Sequence, residues 1–165
     1  MTRHQDVDVI ENHVSLQTLL ARFTMTLSIM QKMNLEDRIA LTRAVVGLLD
    51  SWGASAAQQV ALLALPHNTR PGAIRQFRQS TPFPENEQVM ERIEHLIGIA
   101  DALRTSYPHN SHMGKIWMNQ TNHRFEDRTP MAAMLEDGLA GIIAVRIHLD
   151  CAYDWHISGS DHKPG

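Results

Sequence analysis

Cysteine is almost missing from this chain: Cys151 is the single one in 165 residues. It has no partner for an internal disulfide, which excludes a stapled secreted scaffold and fits a reducing cytoplasm. Aromatic residues are scarce at 5%, and glycine (9) and proline (7) are modest. A β-sandwich or barrel would draw on more aromatic and β-branched residues and more turns, so this composition favours helices. No apolar run is long and uncharged enough to span a bilayer, so no membrane contact is expected. Residues 1–11 are polar and acidic, and no secretory signal is expected there. The chain has no G-x-S-x-G, no phosphate-binding loop, no dinucleotide glycine fingerprint and no H-E-x-x-H. These absences lead to the expectation of a protein that is not an enzyme and carries no cofactor and no metal.

What remains is an ordinary globular balance, 43% hydrophobic and 20% charged, which excludes wholesale disorder. The charge is uneven. Residues 1–84 hold 8 Lys+Arg against 6 Asp+Glu, and residues 85–165 hold 7 against 12, so the halves differ by sign and are expected to meet different partners.

Helical spacing dominates the pattern. Leu16, Leu19, Leu20, Phe23, Leu27 and Met30 mark one helix over Val14 to Met33. A second follows Asn34, with Leu35, Ile39, Thr42, Val45, Val46, Leu49 and Trp52 on one side and Gly53 as its stop. Ser55 and Gln58 form a capping box for a short helix closed by Pro66. Another short helix starts at Pro71 and runs to Gln79. Thr81-Pro82-Phe83-Pro84 is extended, because each residue before a proline avoids the helical region, and it is the best candidate linker. A long helix over Glu85 to Tyr107 turns Val89, Ile93, Leu96, Ile97, Ala100 and Leu103 inward. A short helix around Trp117 and a polar loop from Asn119 to Arg128 come next. Thr129-Pro130 opens a further helix, and Asp137-Gly138 breaks it. The last helix, from Leu139 to Trp155, holds Ile142, Ile143, Val145, Ile147 and Leu149 in its apolar share, and a polar tail follows. The expected fold is all-α, a compact bundle of about seven helices. Its expected parts are an N-terminal helical extension (1–44), a helix-turn-helix-like region (45–84) and a C-terminal region (85–165).

Ten histidines raise the question of a metal site. His109 and His112 straddle a loop-to-helix junction, with His123 eleven residues further on, while His148, Cys151 and Asp154 sit at i, i+3 and i+6 on the last helix, which places at least the first two on one face. A tetrahedral site needs two tight pairs, and only this weak one exists. A nucleophilic Cys151 would need a base to lower its pKa; a thiol on an apolar helix face is more often core.

Two regions suggest contact with other molecules. Arg70, Arg75 and Arg78 lie in a stretch without acidic residues, with Ile74 and Phe77 on the opposite side. That places guanidinium groups outward, as a DNA recognition helix requires, although a solvated basic helix has the same pattern. Tyr153 and Trp155 near the end of the last helix, with His156 and Ile157, either cap the core or form an aromatic anchor beside the tail.

Trp117, Met118, Asn122, Phe125, Arg128, Pro130, Asp137 and Gly138, in that order and nearly that spacing, resemble the toxin-binding domain of the Xre/MbcA/ParS antitoxins. Arg92 to Leu103 followed by Tyr107-Pro108 resembles the helix that precedes this domain. Leu48 to Phe77 resembles the family's degenerate helix-turn-helix, with Phe77 where a Trp is frequent and Pro66 in place of the turn glycine. The resemblance covers about residues 45–155. It implies a cytoplasmic, oligomeric antitoxin with a C-terminal toxin-binding helical domain, which covers the NAD pocket of a cognate RES-domain toxin. The residues it assigns to that contact are Asn122, Arg128, Tyr153, Trp155, His156 and Ile157. The alternative is a transcriptional regulator that binds operator DNA through Arg70, Arg75 and Arg78, without a toxin.

Overall fold

The computed structural model describes Ser28, residues 32–152, and the backbone of residues 153–158. The chain divides into two units, residues 1–34 and 35–165, and the architecture below is that of the second. The helix expected over Val14 to Met33 lies outside the described residues, apart from Ser28, Lys32 and Met33.

The second unit is all-α. Its helices are α1 (Leu35–Ser51), α2 (Ala56–Leu62), α3 (Ile74–Gln79), α4 (Glu87–Ser106), α5 (Met113–Met118), α6 (Pro130–Asp137) and α7 (Leu139–Ser158). Single 3₁₀ turns occupy Pro71–Ala73 and His123–Phe125. No β-strand occurs among the described residues, only an isolated bridge between Asn122 and Arg128. No helix among them is long and apolar enough to cross a membrane.

Local chemistry sets most of the helix ends. The Gly53 N–H donates to Asp50 O and the Ala54 N–H to Leu49 O, the paired bonds of a left-handed C-cap on α1. Ser55 and Gln58 exchange side-chain and backbone bonds to open α2. The Thr129 hydroxyl accepts from the Ala132 N–H at 3.0 Å, with Pro130 at the first helical position of α6. α2 stops at Leu62, before the expected Pro66. Ala64, at φ 49°, takes the left-handed position, bonding back to Ala61 O while Leu65 bonds to Val60 O. A residue with a Cβ there costs about 1 kcal/mol, and no glycine marks the spot.

α4 and α7 share the most extensive packing, followed by α6 on α7 and α1 on α3. Val89, Ile93, Leu96 and Ile99 of α4 and Ile142 and Val145 of α7 are completely buried. Three residues that spacing turns inward are exposed instead: Leu35 at 60%, Ile97 at 36% and Ile147 at 57%. Leu35 begins its helix, Ile97 follows Leu96 at the margin of the Ile93–Leu96–Ile99 stripe, and Ile147 lies on the far side of α7 from Val145 and Leu149.

The proline-flanked stretch before α4 is extended, and it is part of the core. Phe83 is 5% exposed and its ring meets that of Phe77 at 5.0 Å. Its N–H donates to Thr42 Oγ1 at 2.9 Å, and that hydroxyl donates on to Arg38 O. Arg38 in turn reaches Phe83 O and the Glu85 carboxylate. The start of α4 is thereby tied to α1.

Candidate functional site

The loop from Asn122 to Arg128 is held by its own two ends. The Asn122 side chain accepts from the Arg124 N–H at 2.9 Å and caps the 3₁₀ turn. The Asn122 N–H donates to Arg128 O at 3.0 Å, and the Arg128 N–H donates to Phe125 O at 3.0 Å. Between them, Glu126 (φ 57°) and Asp127 (φ 59°) adopt the left-handed conformation in succession, which persists only where the surroundings over-determine it.

The Arg128 side chain supplies that determination. It donates to Phe125 O at 3.2 Å, to Glu136 at 2.9 Å, and bidentately to Asp137 at 3.0 and 2.8 Å. Sequence proximity suggests Glu126 or Asp127 as its partners. Glu126 lies at the margin of ion-pair distance, 3.8 Å, and the short bonds go to the end of α6. Two carboxylates at a helix C-terminus oppose the helix dipole, and the guanidinium offsets them. Its hydrogen bonds hold the Asp137 carboxyl below the usual carboxylate range, and those from Arg128 to Asp137 and Glu136 keep the arginine firmly charged. Arg128→Ala should release the loop while leaving the core folded. Amide exchange at Asn122 and Arg128 is expected to accelerate by about tenfold or more; unchanged protection contradicts the clamp.

Behind the loop, three rings meet. Trp117 of α5 stacks on His148 of α7 with centroids 6.2 Å apart and planes 16° from parallel. Phe125 is edge-on to both, at 6.4 Å from Trp117 and 5.4 Å from His148. Met118, next to Trp117, is completely buried. Beside the rings an open groove of about 780 Å³ is lined by Arg124, Phe125, Ala144, Ile147, His148, Cys151 and Ala152. The sequence pairs His148 with Cys151 as a weak metal motif, whereas the structure gives His148 to the ring stack. No group of three or more His, Cys, Asp and Glu side chains placed to hold a metal occurs among the described residues. Arg124 and Ile147 were missed from sequence; an isoleucine at an inward-spaced position carries no signal that it is exposed.

Six of the eight residues that carry the resemblance interlock in this one region. Trp117 meets Phe125, Asn122 bridges to Arg128, Arg128 clamps Asp137, and Gly138 makes the corner into α7 at φ 62°, ψ −133°. The other expected contact residues, Tyr153, Trp155, His156 and Ile157, have side chains outside the described residues; their backbone continues α7.

The three arginines of the basic stretch are not equivalent. Ile74 and Phe77 are buried as expected, at 2% and 8%. Arg78 donates bidentately to Asp50, at 2.8 to 3.2 Å. Asp50 also accepts from the buried Gln59 amide at 2.7 Å. That ties Arg78 to α1 and α2. Arg70 and Arg75 are exposed, and neither side chain has an ion-pair partner among the described residues.

Acid should weaken this fold. His95 on α4 lies with Nδ1 3.0 Å from Arg146 Nη1 of α7, so its neutral ring accepts from the guanidinium. Burial first, and the Arg146 charge second, lower its pKa below the ordinary 6.5. His148 is lowered in the same way by burial and then by Arg124. The unfolded chain takes up these protons first, so the stabilisation is full above about pH 6.5 and is lost as pH falls below it. Asp137, also depressed, keeps its contribution until pH falls through the carboxylate range. The melting temperature should therefore drop between about pH 7 and pH 5, and His95→Gln should flatten the slope. A flat profile in both proteins contradicts the assignment.

Compared with known proteins, the chain matches no protein-family model and no curated protein.

Proposed function

We propose that this chain is the antitoxin of a type II toxin-antitoxin pair, a cytoplasmic, oligomeric protein acting by binding and not by catalysis. It neutralises a cognate RES-domain, NAD-consuming toxin by occluding the toxin's active site with its C-terminal region. The observation that carries this reading is the interlocked block from Trp117 to Gly138, which braces the base of α7 and leaves a long helix running out to Ser158. Rigid support under an extended C-terminal element is what an occluding segment requires, since a pre-organised contact gives up less entropy on binding. Removing residues 157–165 should weaken neutralisation in cells that express the toxin. Unchanged protection by the truncated chain contradicts the reading.

A second reading, operator binding without a toxin, is favoured by the unpaired side chains of Arg70 and Arg75. It has less support than three outward arginines would provide, because Arg78 is engaged by Asp50.

A further inference from the structure

We propose that the groove on the outward face of α7 is the primary seat of the toxin, and that it takes a branched or aromatic side chain flanked by a carboxylate. This rests on the antitoxin reading and names where, and through which chemistry, the two chains meet.

α7 has two apolar faces. One, with Ile142, Val145 and Leu149, is buried against the rest of the unit. The other carries Ala144, Ile147, His148 and Cys151 at the i, i+3, i+4, i+7 spacing of a helix stripe, and these residues line the groove. Ile147 is 57% exposed, and Cys151 is exposed beside it. A lone exposed isoleucine is ordinary on a protein surface, but Ile147 stands with Ala144, Cys151 and Ala152 along one groove, so a partner can bury them together. The groove wall is rigid, because His148 is stacked on Trp117 and Phe125 is fixed edge-on to both. Rings held in place by packing are the pre-ordered anchors on which binding energy concentrates.

Charge identifies the occupant. Arg124 lines the groove, and its guanidinium has no hydrogen bond or ion pair among the described residues. Arg38, Arg43, Arg92, Arg128 and Arg146 all have partners. Among the described residues, no acidic side chain lines the groove with it. A second copy seated symmetrically would bring its own Arg124 to the same surface, cation toward cation. A different chain, with an acidic residue next to its apolar anchor, satisfies both the guanidinium and the apolar wall.

The single cysteine makes the groove addressable. The probe is the NAD-consuming RES-domain protein retained by the full-length chain from its host, and the readout is the rate at which Cys151 reacts with dithionitrobenzoate. Bound toxin should slow that reaction by about tenfold or more, because the thiol lies under the contact. Ile147→Glu and Arg124→Glu should each weaken toxin binding by about tenfold or more, and Arg124→Lys should stay within about threefold of the parent. Both side chains are exposed, so the helical spectrum of each variant should match the parent's. If the parent binds toxin while Cys151 stays reactive and both variants bind as tightly as it does, the groove assignment is overturned and the antitoxin reading stands. A parent that retains no NAD-consuming protein overturns both. Protection of Cys151 by raising the chain's own concentration, with a doubled mass, assigns the groove to a second copy and overturns the proposal.

Discussion

Gly141→Ala should lower the stability of the unit by about 3 kcal/mol or more, among the largest losses open to a single methyl group. A Cβ at Gly141 would lie 2.2 Å from the Ala133 carbonyl oxygen and 2.8 Å from its carbon. Both are backbone atoms of α6, so no rotamer change relieves the clash. α6 and α7 would have to separate at the corner made by Gly138, which opens the layer where Met134 and Ile142 are completely buried. The expected drop in melting temperature is roughly 10 °C for a domain of this size. Gly72→Ala, where nothing lies within 4 Å of the added Cβ, is the control and should be close to neutral. A Gly141→Ala midpoint within about one degree of the parent contradicts the packing described here.

Phe83→Ala should cost about 3 to 4 kcal/mol, the ordinary price of deleting a buried aromatic ring. The ring closes the space between α1, α3 and the start of α4 and touches Phe77. The neighbouring Thr81→Ala, at an exposed position, should change the urea midpoint little. Equal behaviour of the two variants would mean that the proline-flanked stretch is a loose connector after all.

Phe83 illustrates where sequence reading stops. Its flanking prolines dictate an extended backbone, and that is local information. Its burial depends on Thr42, 41 residues earlier, which accepts its N–H. The same division runs through the chain. The capping box at Ser55, the Thr129-Pro130 start and the Asp137-Gly138 break were legible because each is settled within a few residues. The partners of Arg128 were not, because Glu136 and Asp137 reach it only after α6 folds back over the loop. Arg78 reads as an outward cation from helix spacing, and only the tertiary fold brings Asp50 to it across 28 residues. Ala64 gives no hint of its left-handed backbone, since the composition of that turn is ordinary. Ile147 is the reverse case: its chemistry suits the core, and only the packing of α7 shows that another face of the helix was chosen. The bracing of Asn122 against Arg128 and of Arg128 against Asp137 exists only in three dimensions.

The proposed function depends on one event, the silencing of an NAD-consuming partner. The most direct measurement is NAD consumption by the protein that the tagged full-length chain retains from its host, assayed before and after the chain is stripped away. The account predicts a stoichiometric partner that destroys NAD only once freed. A retained partner that consumes NAD equally with and without the chain, or no retained protein at all, would contradict it.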